Sequence, residues 1–507
     1  MSVSILYKEN DSIAPAAAPE RKVLGFLEKL YLGWKEWTAK KPVTAALISI
    51  AIIACIVIVA VVPSVCIVRG CGAGNGDEDV PPDVGNDGSP LRLLVHFDDI
   101  KKTVKSKVPP FLYEYFEELV LSYGVNVVSF KNYTVLYRVQ QILENQKDVL
   151  ILLRDRPVYQ VPSADYFLQS AVQQQVVDTV LGRRRQAAST NEPGDELSPE
   201  QWALDKVAAR DAWNVSLGDG VVVAVIDTGC DLDHPDLKDN LWSNPREVPG
   251  NKVDDDKNGY VDDVVGYDFA GACAETYGPG CGRRPDATDL IGHGSHCSGI
   301  IGAVRNNRVG IAGIAPNVRV MCLKVTPNDR KFYLSNILVA IDYAIKEGAH
   351  IISCSFGPEE NNHNPQNAAQ RDALRNETNL YKKAMDSLKN KSMLLVAAAG
   401  NEAINLDDVE FYNPCTLVRD YPDNLMCVMA TDTQDKRLVV RVATRLEGSN
   451  YGPRTVSVAA PGNEILSTVI NHTWANSSGS SMATPMVAGV AALVMSIMGA
   501  GDGNFYK

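Results

Sequence analysis

Four short stretches hold the residue types that acyl transfer by a hydroxyl requires. Ser481 lies in Gly479-Ser480-Ser481-Met482-Ala483-Thr484-Pro485. Small apolar residues follow (Ala488, Gly489, Ala491, Ala492, Leu493), which predicts a closely packed, buried helix. Pro485 fits only its first turn. Ser481 therefore stands at a helix start, where free N–H groups and the helix dipole favour developing negative charge. Asp227 directly follows the apolar run Val221–Ile226. His293 opens a Gly- and Ser-rich stretch, Gly292–Gly299, and Asn401 follows Met393–Ala398 and a glycine. Taken singly, each has a structural reading: an N-cap for Ser481, a strand-end carboxylate for Asp227, a turn residue for Asn401. His293 with His296 suggests a metal, but no carboxylate stands at metalloprotease spacing.

Together the four supply a carboxylate, an imidazole, an amide and a hydroxyl. His293 would remove the Ser481 proton and return it to the leaving amine. Asp227 would fix the His293 tautomer and stabilise its cation. The Asn401 amide and the Ser481 N–H would hold the oxyanion.

The elements that must position them are legible as alternating strands and helices. Val221–Ile226, Val318–Val325, Ile351–Cys354 and Met393–Ala398 are continuous apolar runs, as in strands buried on both faces. Leu334–Lys346 and Asn367–Lys389 are helical, the first closed by Gly348. This alternation predicts an α/β fold, a parallel sheet sandwiched by helices. Function in such sheets gathers at the carboxyl ends of strands, where Asp227 and Asn401 fall.

The same residues carry a family resemblance. Val225-Ile226-Asp227-Thr228-Gly229, His293-Gly294-Ser295-His296, Ala399-Gly400-Asn401-Glu402 and Gly479 to Pro485 resemble the motifs of subtilisin-like serine proteases, in the order Asp, His, Ser. The family usually has Thr where Ser295 and Ser480 stand. The motif register selects Ser481 rather than Ser480. The resemblance implies a catalytic domain over 200–507 and a self-processed zymogen. It also implies a propeptide over 91–185 that acts as folding aid and inhibitor. Ser355-Phe356-Gly357 would bind substrate backbone as an added strand. With Ala398, Ala399 and Gly400 it would wall the primary specificity pocket.

About 60 residues separate Asp227 from His293, more than in the smallest family members. The added length holds Asp254-Asp255-Asp256-Lys257-Asn258-Gly259-Tyr260-Val261-Asp262-Asp263. Asp254, Asp256, Asn258 and Gly259 match positions 1, 3, 5 and 6 of a calcium loop, Asp262 matches position 9, and Tyr260 would offer its carbonyl. Position 12 is Val265 rather than Glu. Calcium, in a structural role, is the expected cofactor. Ser355-Phe356-Gly357-Pro358-Glu359-Glu360 is similar to the furin-like branch, where acids after this motif select basic residues. Two alternatives to a general endopeptidase follow: a furin-like processing protease, and an inactive, membrane-tethered binding protein that kept the fold.

The chain has 507 residues and a net charge of −12, so no bulk basicity suggests nucleic-acid binding. Residues 1–42 read as a cytoplasmic tail. Val43 to Val68 runs 26 residues without a charge, long enough to span a bilayer. The basic residues before it and the acidic ones after it predict a type II signal anchor, with everything beyond it lumenal or extracellular. Residues 69–90, rich in Gly, Pro and Asp, read as a flexible linker.

Residues 91–162 read as βαββαβ, a ferredoxin-like α+β unit: strands at Leu91–Phe97, Val125–Phe130, Tyr133–Val139 and Val149–Leu153, helices at Phe111–Tyr123 and Gln140–Gln146. Residues 164–181 look helical, and Arg183–Arg185 marks a processing site or a solvated charge run. Of eleven cysteines, eight lie between 230 and 427, an even count that suits an oxidising compartment. Cys273 with Cys281 and Cys415 with Cys427 are candidate disulfides, and Cys297 reads as a buried thiol. Asn132, Asn214, Asn376, Asn390, Asn471 and Asn476 occupy glycosylation sequons. The expected partners are protein or peptide substrates, the propeptide and a membrane.

Overall fold

The computed structural model describes residues 92–130, 133–155, 157–160, 194–271, 284–326, 331–358, 364–442 and 445–499. The tail 1–42, the apolar segment 43–68, the linker 69–90, the stretch 164–181, Arg183–Arg185, Cys273, Cys281, Glu359, Glu360 and the sequon at Asn132 lie outside the described residues.

The N-terminal unit comprises β1 (Arg92–Phe97), β2 (Phe116–Val120), β3 (Val125–Phe130), α1 (Tyr133–Glu144) and β4 (Val149–Arg154). Its sheet is antiparallel in the order β2-β3-β1-β4. Two elements differ from the sequence reading. The helix expected over 111–123 is a 3-10 segment, Pro110–Tyr115, followed by strand β2. Pairing with β3 overrides the helical spacing. The strand expected over 133–139 is instead the first half of α1. Leu136, Val139 and Leu143 share its buried face. The strand that follows, β5 (Pro157–Gln160), leaves this unit.

The larger unit opens with short helices α2 (Trp202–Lys206) and α3 (Ala209–Ala212). Then come β6 (Val222–Asp227), β7 (Gly266–Asp268), α4 (His293–Gly302), β8 (Arg319–Lys324), β9 (Lys331–Tyr333), α5 (Leu334–Lys346), β10 (Ile351–Cys354), α6 (Ala368–Asn390), β11 (Leu394–Ala398) and β12 (Leu425–Thr431). A hairpin, β13 (Val439–Val442) with β14 (Arg445–Gly448), precedes β15 (Val458–Pro461). A second hairpin, β16 (Ile465–Val469) with β17 (Thr473–Ser477), precedes α7 (Ser480–Ile497). Seven strands form one parallel sheet in the order β15-β12-β11-β10-β6-β8-β7.

Alternation along the strands builds two cores. Ala224 and Ile226 of β6 face α5 and α6, together with Met321, Leu323, Ile352 and Leu395. Val223 and Val225 face α4 and α7, together with Val320, Cys322, Ile351 and Val396. Each strand therefore buries both faces, which is why it reads as an unbroken apolar run. Glycines let both helices approach the segment that leads into β8: a Cβ at Gly489 of α7 would meet Ile314 at 2.6 Å, and one at Gly302 of α4 would meet Val318 at 2.7 Å.

Helix α7 is long and apolar enough to cross a bilayer, but 61 % of it is buried against the sheet and α4, so it is a core helix. The N-terminal unit docks on α5. Asp155 accepts the Ser335 N–H at 3.1 Å and the Ser335 hydroxyl at 2.5 Å, in the first turn of that helix. Arg92 reaches Ser335 at 2.8 Å and Asn336 at 2.6 Å. Strand β5 pairs antiparallel with β9. Disulfides join Cys230 to Cys322 and Cys415 to Cys427. Of the described sequons, Asn214, Asn390, Asn471 and Asn476 are exposed and Asn376 is half-buried.

Candidate active site

Asp227 is the last residue of β6 and is fully buried. Its Oδ1 accepts the Thr228 N–H at 2.7 Å and lies 2.7 Å from His293 Nδ1. His293 is the first residue of α4, reached through Gly292 at φ 105°. Asp289 builds this entry: its Oδ1 accepts from Ile291 and Gly292, and its Oδ2 from the Ser295 N–H and hydroxyl. The Ser295 hydroxyl also accepts the Asp231 N–H at 2.9 Å, so the hydroxyl that Ser and Thr share is used twice. A Cβ on Gly294 would collide with the Gly229 carbonyl. The loop after Asp227 and the start of α4 are thus pressed together, which sets the Asp227–His293 distance.

Burial disfavours a charged His293, yet the adjacent Asp227 carboxylate outweighs that cost and holds its pKa well above the ordinary value. His296 turns elsewhere, with Nε2 3.0 Å from the Ala475 carbonyl, and burial pushes its pKa down to about 3. The two histidines therefore do not form a metal pair. Cys297 is a buried free thiol, 4.0 Å from His293 Nδ1 and bonded to the Ser481 carbonyl at 3.5 Å. Asp227, His293 and Cys297 are close enough to share an ion. Burial raises the Cys297 pKa, though the neighbouring His293 opposes this.

Ser480 and Ser481 open α7. The Ser480 hydroxyl accepts the Gly400 N–H at 3.0 Å, so it is committed to structure. The Ser481 hydroxyl donates to the Ser355 carbonyl at 3.0 Å, and the Ser355 hydroxyl donates to the Ser481 carbonyl at 2.9 Å. Helix geometry leaves the Ser481 N–H without an intrahelical partner. Asn401, exposed just beyond β11, accepts the Ser480 N–H through Oδ1 at 2.9 Å.

Ser355-Phe356-Gly357 continues β10, and Ala398-Ala399-Gly400 ends and continues β11, the neighbouring parallel strand. The Phe356 side chain faces inward onto Phe332, 4.8 Å between ring centroids. Sequence reasoning missed Tyr412 and Asn450 beside these segments, and read Glu402 only as part of the Asn401 motif. The Tyr412 hydroxyl donates to Glu402 at 2.9 Å, and Asn450 donates to Glu402 at 2.5 Å and to the Ala399 carbonyl at 2.8 Å. Asp289 was also missed, although an Asp shortly before a helix start is a capping signal.

The acidic loop arranges its carboxylates differently from the expected ligand set. Glu247, Asp256 and Asp263 bring oxygens within 4.8 Å of one another, with the Asn258 amide on Asp263 at 2.8 Å and on Asp256 at 3.3 Å. Asp262 instead accepts the N–H groups of Asn251 and Lys252, at 3.1 and 2.9 Å. Asp254 accepts those of Asn258 and Gly259, at 3.1 and 2.9 Å. The Tyr260 side chain is buried among Tyr267, Phe269 and Tyr343. Burial and the neighbouring Asp256 raise the Asp263 pKa, though Tyr343 and Asn258 oppose this. A cluster of three carboxylates fits a hard, oxygen-seeking cation, although Asn244 and Asn258 turn their amide nitrogens rather than their oxygens to it.

A parallel sheet that gathers an Asp–His pair and a helix-opening serine at its carboxyl edge has the architecture of the subtilisin-like class. Residues 218–501 match the model of the Subtilase family, and the chain belongs to that family. Thermitase of Thermoactinomyces vulgaris is 32 % identical over 302 residues, 59 % of this chain and 84 % of the relative. Subtilisin-like protease 1 of Plasmodium berghei is 29 % identical over 316 residues, 60 % of this chain and 48 % of the relative. The thermophilic serine proteinase of a Bacillus species is 34 % identical over 286 residues, 56 % of this chain and 55 % of the relative. The chain thus spans about half the length of the Plasmodium relative it matches.

Proposed function

We propose that this chain is a serine endopeptidase made as a membrane-anchored zymogen. The observation that carries the reading is the buried Asp227–His293 pair, 2.7 Å apart, beside a serine held at a helix start. In the resting arrangement the Ser481 hydroxyl rests on the Ser355 carbonyl. Rotation toward His293 lets that ring take the proton as the oxygen attacks the scissile carbonyl. Asp227 keeps the Nδ1 proton in place and stabilises the imidazolium. The Asn401 amide and the Ser481 N–H take the oxyanion. His293 then protonates the leaving amine, and water repeats the cycle on the acyl-enzyme.

The unit within 91–185 serves as inhibitor, supported by its contacts with α5 and β9. Segment 43–68 serves as the type II anchor, supported by its length and lack of charge. Glu247, Asp256 and Asp263 would hold calcium, which when bound would neutralise the loop's charge; Asp263 also accepts the Tyr343 hydroxyl of α5 at 2.6 Å.

The test is hydrolysis of casein or a generic peptide by residues 91–507, secreted as the zymogen. Activity in the parent, absent in Ser481→Ala, supports the proposal. Equal hydrolysis by both, or none by the processed parent, would overturn it.

A further inference from the structure

We infer that Tyr412 forms the floor of the pocket receiving the side chain that precedes the scissile bond, and that it restricts this side chain to small residues. The inference rests on the proposed protease reading and adds its specificity.

Strands β10 and β11 are hydrogen-bonded neighbours as far as Cys354 and Ala397. Beyond them, 355–357 and 398–400 continue at the carboxyl edge. Both are tied to the nucleophile's turn, Ser355 to Ser481 and Gly400 to Ser480. The gap between the two segments therefore opens beside the Ser481 hydroxyl. A substrate whose scissile carbonyl sits on Ser481 must place its adjacent side chain there.

That gap is already filled. Tyr412 is 1 % exposed, and its ring lies between the two glycines. A Cβ on Gly357 would stand 2.9 Å from Tyr412 Cε1 and 3.0 Å from its hydroxyl oxygen. A Cβ on Gly400 would collide with the same hydroxyl. The ring is also fixed. Its hydroxyl donates to Glu402, whose carboxylate is held in turn by Asn450. Its carbonyl accepts the Thr416 N–H at 3.0 Å, and Cys415 ties this loop to Cys427 in β12. An aromatic, long aliphatic or basic side chain would have to displace a clamped phenol. Glycine, alanine or serine would not, because their side chains end above it.

The experiment compares kcat/KM for peptides differing only at the residue before the scissile bond: Ala, Ser, Leu, Phe and Lys. The wild-type enzyme should prefer Ala and Ser over Phe and Lys by at least about tenfold, the scale on which pocket fit discriminates. Tyr412→Gly should shift the Phe-to-Ala ratio toward Phe by at least about tenfold. Tyr412→Phe, which keeps the ring, should retain the small-residue preference. Wild-type cleavage after Phe or Lys as fast as after Ala would overturn the inference, as would a folded Tyr412→Gly enzyme with unchanged preference. Should the glycine variant not fold, the wild-type profile decides alone. Fluorophosphonate labelling of Ser481 separates the two layers. A labelled enzyme with the wrong preference sinks the Tyr412 role only, whereas an enzyme that neither labels nor cleaves sinks the protease reading.

Discussion

Asn401 and Ser480 share a hydrogen bond whose direction is fixed by chemistry: the Ser480 backbone N–H can only donate, so the atom 2.9 Å away is the Asn401 amide oxygen. The amide nitrogen is left to donate outward, beside the start of α7. One contact thus orients the side chain proposed to meet the oxyanion. Asn401→Ala should lower kcat about 10²–10³-fold with KM little changed, because the interaction forms in the transition state. Steady-state kinetics check this. A loss carried by KM alone would place Asn401 in substrate binding instead.

The acid limb of activity should belong to His293. A general base must be neutral, so kcat/KM is low below the His293 pKa and rises as pH passes through it. Asp227 holds that pKa well above the ordinary value despite burial, so the limb should lie above about pH 6.5. Asp227→Asn removes the raising charge. The limb should then move to lower pH while kcat falls by about 10⁴. A limb that stays in place would assign it to another group.

How legible this was from sequence depends on how local each feature is. The β6 run ending in Asp227 was readable because both faces of that strand are buried. The helix starting at Ser480 was readable because small residues line the face that it packs against the sheet and α4. Phe116–Val120 was misread as helix because its partner β3 is set by tertiary pairing, not by its own spacing. Tyr133–Val139 was misread as strand because its β-branched Val135 and Val139 serve a helix face. The Cys230–Cys322 disulfide spans 92 residues and joins β8 to the loop after β6, a proximity that only the sheet order creates. Tyr412 was invisible for the same reason: nothing near it in sequence says that it lies between Gly357 and Gly400.

The calcium assignment separates Asp256 from Asp262. Calcium at a hundred times its dissociation constant should stabilise the mature domain by about 2.7 kcal/mol. Chelation should lower its melting temperature accordingly. Asp256→Asn with Glu247→Gln should flatten the dependence of melting temperature on calcium. Asp262→Asn should leave that dependence intact, since Asp262 lies outside the group formed by Glu247, Asp256 and Asp263. Thermal melts with and without chelator decide, and the reverse pattern would restore the ligand set expected from sequence.

Inhibition by the N-terminal unit should depend on Asp155, which is buried against the first turn of α5. Removing a carboxylate that caps a helix start costs about 1 kcal/mol, about a fivefold weaker inhibitory constant. Asp155→Ala zymogen should therefore show earlier activity during maturation, read by the time course of peptide hydrolysis. An unchanged time course would place the inhibitory contact elsewhere, such as the β5–β9 pairing.

The central claim is that Ser481, and not its neighbour, is the nucleophile. Ser480 has its hydroxyl on the Gly400 N–H, whereas the Ser481 hydroxyl donates to the Ser355 carbonyl and is proposed to turn from it to His293. The direct measurement is labelling of the mature protein with a fluorophosphonate, followed by peptide mass mapping. The phosphonyl group should be found on Ser481, and labelling should vanish in both Ser481→Ala and His293→Ala. Label on Ser480, or labelling that survives the loss of His293, would contradict the account.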